Sequence, residues 1–261
     1  MQPDNWGSLA RIGLFIVSRE VVPEAEWWAM CPPAVSIHAA RVAAPAPWAG
    51  WRDDRSGVDL TPDMVRGCEA FRAIAPNVVV LAHSSSSFVG GPGWDDAVID
   101  AMAARLAPAT VATTNGLDTR LAMGRLGVSR PFLVMPAWMT DRLIESAVSY
   151  YAAFGIAVPA ATRYAPSPPW RDIAPQDLYE RGMATAQETE MLFDQVCREC
   201  PPEADSILLA GTGFRCAAII AALEERLGRP VVAANQASLW RALDVVGVKA
   251  PVAGYGRLLA G

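Results

Sequence analysis

Asn77-Val78-Val79-Val80-Leu81-Ala82-His83-Ser84-Ser85-Ser86-Ser87-Phe88 reads as a buried strand, a small polar loop and the approach to a helix. The apolar run shows no polar alternation, which suits a parallel strand covered on both faces. Ser206-Ile207-Leu208-Leu209-Ala210-Gly211-Thr212-Gly213-Phe214-Arg215 repeats the layout. In strand–loop–helix units of this kind, backbone N–H groups and hydroxyls converge on an anionic ligand. Two such units predict a pseudo-symmetric pair of halves with one site between them, and His83 and Gly211 occupy the decisive loop positions.

Working outward, strands and helices alternate along the chain. Further strand-like runs are Arg11–Val17, Val35–Val42, Ala109–Thr113, Pro131–Pro136, Ile156–Ala160 and Val231–Ala233. Helical patterns lie between them. One opens at Thr61-Pro62, an N-cap followed by a first-turn proline, and runs to Ile74. The others are Trp94–Leu106, Asp118–Leu126, Thr140–Phe154, Asp177–Cys200 and Cys216–Leu227, of which three end at a glycine suited to a C-cap: Gly127, Gly155 and Gly228. The pattern predicts an α/β fold of doubly wound type. Ligands in such folds bind beyond the carboxyl ends of the strands. The expected site walls are therefore the loops at 18–24, 83–91, 114–116, 137–139, 161–173 and 211–215, with the irregular segment Tyr164–Trp170 as a candidate lid.

With 261 residues, 52% hydrophobic and 19% charged, the chain can bury a large core. Its net charge of −5 and lack of a Lys/Arg block argue against nucleic acid or an anionic membrane as a partner. The opening Met1-Gln2-Pro3-Asp4-Asn5-Trp6 is polar, and Ile12–Val17 is too short for a leader or a membrane span, so a cytoplasmic protein is expected. Five cysteines, an odd number, point to reduced thiols. Cys197-Arg198-Glu199-Cys200 has neither a second pair nor a nearby histidine and reads as a helix end, and no metal cluster is expected.

The ordered motifs are more informative than any one of them. Arg11-Ile12-Gly13-Leu14, Glu24-Ala25-Glu26-Trp27-Trp28 and Pro32–His38 are followed by Ala82–Phe88, Thr113-Thr114-Asn115 and Val134-Met135-Pro136. Asp177-Leu178-Tyr179, Ala204–Ile207 and Asn235–Trp240 complete the series. Together they resemble the maleate cis-trans isomerases and arylmalonate decarboxylases of the aspartate/glutamate racemase superfamily. The resemblance implies two Rossmann-like halves, each a mainly parallel sheet flanked by helices. The first would span residues 1–115 plus about 231–261, the second 116–230. It also implies an interdomain active site without a cofactor, a small carboxylate substrate and a homodimer. Family enzymes use one or two cysteines, and the corresponding positions here fall on His83 and Gly211.

The residues that remain frame the expected chemistry. His83 is the candidate acid or base, because imidazole titrates near neutrality. Glu20 either supports His83 or acts as a base itself; beside a substrate carboxylate it needs Arg19 or another cation. Ser84, Ser85 and Ser86, with Thr114, Asn115, Thr212, Gly213, Phe214 and Arg215, are the candidate substrate-binding residues. Without a thiol at either position, hydrolase or lyase chemistry, for example on a hydantoin-like ring, is the first expectation. Maleate isomerase or arylmalonate decarboxylase activity is the second, and a non-catalytic carboxylate-binding protein the third.

Overall fold

The computed structural model describes residues 4–260. Met1–Pro3 of the polar opening and Gly261 lie outside the described residues. In the first half the elements are β1 (Ala10–Val17), α1 (Val22–Met30), β2 (Val35–Val42), β3 (Ala49–Trp51), β4 (Val58–Leu60), α2 (Pro62–Ile74), β5 (Val78–Leu81), α3 (Ser84–Gly90), α4 (Trp94–Ala103) and β6 (Val111–Thr114). There follow α5 (Asn115–Leu126), β7 (Pro131–Met135), α6 (Asp141–Ala152), β8 (Ala160–Arg163), α7 (Pro175–Leu178), α8 (Thr189–Glu199) and β9 (Ser206–Leu209). The chain ends with α9 (Ile220–Leu227), β10 (Val231–Ala233), α10 (Ala234–Val245) and α11 (Arg257–Ala260).

Two parallel four-stranded sheets form, ordered β2-β1-β5-β6 and β10-β9-β7-β8. Numbered within its own half, each runs 2-1-3-4, so the expected pseudo-symmetry is present in the strand order. The symmetry corrects the division of the chain. Val231–Ala233 was expected to return to the first half, but β10 pairs with β9 in the second sheet. The return is made by α10, which packs against α5, α1 and β5. The antiparallel β3–β4 hairpin is an addition to the first half.

The two halves share one core. Ile12, Leu14 and Val80 of the first sheet join Phe132, Val134 and Leu209 of the second in a single apolar cluster. Every residue of Val78–Leu81 is fully buried, at about 1.5–3 kcal/mol of transfer free energy for each large aliphatic side chain. Phe71, Trp94 and Met102 cover the outer face of the first sheet; Tyr150, Tyr151 and Ala122 cover that of the second.

The helix expected over Asp177–Cys200 is interrupted. Gly182 adopts a left-handed conformation with φ of 94°, which glycine enters without the steric penalty of a side chain. A 3-10 turn at Met183–Thr185 follows before α8 starts at Thr189. The interruption leaves Tyr179 and Glu180 beside the cleft described next. No helix among the described residues is long and apolar enough to cross a membrane.

Candidate active site

A cleft of about 510 Å³ opens at the carboxyl ends of β1, β5, β7 and β9. Its polar lining includes Arg19, Glu20, His83, Ser84, Ser85, Tyr179, Glu180 and Thr212. Apolar walls come from Ala44, Pro45, Trp138, Met139 and Leu143.

Glu20 follows β1 in a tight turn, with its N–H donating to the Val17 carbonyl at 3.1 Å. Arg41 on β2 clamps this turn, donating to the carbonyls of Ser18 at 3.1 Å and Glu20 at 2.8 Å. The Glu20 side chain is 5% exposed, and its Oε2 has no hydrogen-bond partner. Burial raises its pKa to about 7, with the neighbouring Tyr179 hydroxyl opposing part of that rise. The Tyr179 hydroxyl has no partner of good geometry either. Glu20 also abuts the second loop: a Cβ on Gly213 would overlap its carboxylate.

His83 lies between β5 and α3, its ring stacked on Trp48 with centroids 4.2 Å apart. Its Nδ1 is 2.9 Å from Ser86 Oγ, and Ser86 Oγ accepts from the Trp48 backbone N–H at 3.0 Å. Ser86 Oγ has two lone pairs and one proton, so it can accept from Nδ1 or donate to it; when it donates, the ring hydrogen is on Nε2, an atom without a protein partner. Burial lowers the His83 pKa to about 3. His83, expected as an acid or base, is therefore neutral near pH 7, where its one N–H can donate a hydrogen bond but the ring carries no positive charge and no second proton to give up. The other histidine, His38, sits on β2 with its Nε2 2.9 Å from Ser36 Oγ.

The four serines separate by partner. Ser84 Oγ donates to Asn115 Oδ1 at 2.5 Å, Ser86 is held as above, and Ser87 Oγ donates to Asp95 at 2.7 Å. Ser85 Oγ has only the Met139 sulfur, at 4.0 Å. Its hydroxyl is the one of the four left for a ligand.

The second loop crosses to the first. Thr212 Oγ1 donates to the Ala82 carbonyl at 2.9 Å, and the Thr212 carbonyl accepts from Asn235 at 2.9 Å. Gly211 has φ of +119°, and a Cβ there would lie 2.8 Å from Pro136. At the cleft mouth Arg19 forms an ion pair with Glu180, both side chains more than half exposed, and lies over the Tyr179 ring.

Four expected ligand contacts do not line the cleft. Thr114 is buried and donates to Asp95 at 2.6 Å. Asn115 is buried behind Ser84, donating to the Ala234 carbonyl at 2.8 Å and to Ser238 at 2.9 Å. Phe214 packs against Tyr164 in the core. Arg215 is turned to Gln187, its backbone N–H donating to that side chain at 3.1 Å. Segment 164–170, the candidate lid, does not line the cleft either. Tyr179, Glu180, Trp48 and Arg41 were not singled out from sequence as site residues. Only Tyr179 carried a signal, within the motif Asp177-Leu178-Tyr179.

Cys216 is buried and accounts for no thiol in the cleft; burial holds its pKa well above the ordinary value. Among the described residues no group of three or more His, Cys, Asp or Glu side chains could hold a metal ion.

Comparison with known proteins agrees with this architecture. Maleate isomerase from Pseudomonas putida S16 superposes with a TM-score of 0.80 at 19% identity, covering 97% of this chain and 98% of the other. Nocardia farcinica maleate cis-trans isomerase gives 0.76 at 21%, covering 96% and 98%. Arylmalonate decarboxylase gives 0.73 at 23%, covering 95% and 98%. No curated protein matches the chain by sequence. The sequence model of the arylmalonate decarboxylase family matches residues 58–259. That span carries both pseudo-equivalent loops, and the chain belongs to the arylmalonate decarboxylase family.

Proposed function

We propose that the chain is a cofactor-independent enzyme that moves a proton at a carbon beside a carboxyl or carbonyl group of a small carboxylate, in a decarboxylation or an isomerisation. The family match and the three neighbours are decarboxylases and isomerases. They favour this reading over the hydrolysis expected first.

The observation that carries the proposal is the Glu20 carboxyl: buried, facing the cleft, with Oε2 unpartnered and a pKa of about 7. A proton-transfer group works best when its pKa lies near the operating pH. In a decarboxylation the C–CO₂ bond breaks and its electron pair passes into the adjacent carbonyl as an enolate. Protonated Glu20 then delivers a proton to the carbon. In an isomerisation ionised Glu20 removes a proton from an sp3 carbon beside the carbonyl, the C–H electron pair passes into that carbonyl as the same enolate, and the protonated Glu20 then returns the proton to carbon to give the isomer. Neutral His83, through Nε2–H, and the Ser85 hydroxyl supply hydrogen bonds to the enolate oxygen, where charge develops. The reading takes a homodimer from the resemblance and keeps the cytoplasmic location expected from the sequence, which light scattering and cell fractionation test.

The test is turnover of arylmalonates, maleate and related small carboxylates by wild type and Glu20→Gln. Activity in the wild type and its loss in the variant support the reading; equal activity in both removes Glu20 from the chemistry. The absence of cysteine from the cleft lining favours, as a second reading, a carboxylate-binding protein without turnover. Saturable binding with no product would establish it.

A further inference from the structure

The strand beside each site loop leads straight into a helix that opens with an asparagine. β6 lies next to β5, with Thr114 opposite Leu81, and Asn115 is the first residue of α5. β10 lies next to β9, with Ala233 opposite Leu209, and Asn235 is the second residue of α10. The two positions differ by one residue in register. Each side chain nevertheless reaches the loop of its own half at the same place, one residue past His83 or Gly211. Asn115 Oδ1 accepts from Ser84 Oγ at 2.5 Å, and Asn235 Nδ2 donates to the Thr212 carbonyl at 2.9 Å. Both asparagines are 1% exposed, and neither lines the cleft.

Partners that can only accept fix which way round each amide sits. Asn115 Nδ2 donates to the Ala234 carbonyl at 2.8 Å and to Ser238 Oγ at 2.9 Å, which leaves Oδ1 for Ser84. Asn235 Nδ2 faces the Thr212 carbonyl and gives its other hydrogen to Glu26 at 2.8 Å. Glu26 is itself held by the backbone N–H groups of Cys216 and Ala217, at 2.6 and 2.7 Å.

These bonds close into a ring. Thr212 Oγ1 donates to the Ala82 carbonyl at 2.9 Å, two residues before Ser84. Ser84 is tied to Asn115, and Asn115 to the carbonyl of Ala234, the residue before Asn235. Asn235 returns to Thr212. The ring therefore passes through both loops and the openings of both helices. Buried hydrogen bonds in such a network support one another, so deleting one side chain is felt at the others.

We propose that Asn115 and Asn235 are paired positioning residues: they touch no substrate, and together they set the spacing between the first loop, with His83 and Ser85, and the second, with Thr212 and Gly213. The inference rests on the proposed function for the reaction that this spacing serves.

Amide hydrogen exchange by mass spectrometry, and kinetics with phenylmalonate and maleate, test it on the full chain. The proteins are wild type, Asn115→Ala, Asn235→Ala, the double variant and Gln236→Ala. Gln236 is the control: it is buried beside Asn235 and bonds to the Tyr255 carbonyl at 2.6 Å and the Ala233 N–H at 3.0 Å, away from both loops. Each asparagine variant is expected to speed exchange in both loops, 83–88 and 211–215. Each should lower kcat about tenfold or more while KM stays within about threefold. The double variant should fall within about threefold of the slower single variant, because both substitutions open one ring. Gln236→Ala is expected to lower the thermal midpoint and leave kcat and loop exchange unchanged. Where either asparagine variant fails to fold, Ser84→Ala opens the ring at the first loop and is read in its place. The proposal is overturned if each variant loosens only its own loop, if the kcat losses multiply, or if Gln236→Ala slows turnover as much. A wild type that converts neither probe removes the proposed function, and the exchange pattern then decides the positioning by itself.

Discussion

Gly213 and Glu20 stand in contact across the cleft: a Cβ at position 213 would occupy the place of the Glu20 carboxylate. The colliding group is the end of a flexible side chain, not backbone. Gly213→Ala is therefore expected to displace Glu20 while leaving the fold intact. Misplacing a reacting group by about 1 Å can cost about a hundredfold in rate. Turnover should fall by that order, and the thermal midpoint should move by less than about 3 °C. A kinetic loss matched by a large drop in midpoint would show that Gly213 serves folding instead.

Gly211 behaves differently, because its obstacle is Pro136 at 2.8 Å and its φ is +119°. Neither can relax by turning a side chain. Gly211→Ala, and equally Gly211→Cys, should destabilise by about 1–3 kcal/mol in urea unfolding. An unchanged unfolding midpoint in Gly211→Cys would show that the loop accepts a thiol at the pseudo-equivalent of His83.

The Glu20 carboxyl makes stability depend on pH. Its folded pKa of about 7 lies above the ordinary 4.5. Between these values the folded state holds a proton that the unfolded state has lost, so its contribution is complete below 4.5 and disappears as pH rises through about 7. The contribution is on the order of 3 kcal/mol. Asp118, also raised to about 7 by burial, acts in the same window, so the comparison is between variants. Glu20→Gln should be more stable than wild type at pH 8.5 and close to it at pH 4.5, read by chemical unfolding at each pH. An equal difference at both would assign the effect to packing.

His83 carries the opposite sign. Its folded pKa of about 3 lies below the ordinary 6.5; stability from this group is present above 6.5 and lost as pH falls towards 3. With only two histidines in the chain, NMR can follow each ring. The His83 ring resonance should stay constant from pH 8 to 5. A midpoint near 6.5 would restore it as an acid or base.

These effects mark where sequence reading stops. The runs Val78–Leu81 and Ser206–Leu209 declare themselves because strands buried on both faces need no polar alternation. The two loops after them follow from the strands, and so does the general location of the site. The hairpin at Ala49–Trp51 and Val58–Leu60 escapes notice because each strand has three residues, too few to show a period. What separates Ser85 from its neighbours is likewise invisible locally. The hydroxyls of Ser84, Ser86 and Ser87 are engaged by Asn115, by Trp48 and His83, and by Asp95, and Asn115 and Trp48 are distant in sequence. Thr114 and Asn115 lie at the carboxyl end of a strand, as ligand-binding residues do, yet Thr114 is buried on Asp95 of α4 and Asn115 on Ala234 and Ser238 of α10. The neutral state of His83 depends on the Trp48 stack, which comes from a loop 35 residues earlier in the chain.

The central claim is that Glu20 moves the proton. It is tested most directly by exchange of the substrate's α-hydrogen with deuterated solvent, followed by NMR on wild type and Glu20→Gln with the best-bound carboxylate. The account predicts exchange in the wild type that rises to a maximum near pH 7, and a loss of about a hundredfold or more in the variant with binding retained. Exchange at the wild-type rate in Glu20→Gln would contradict it.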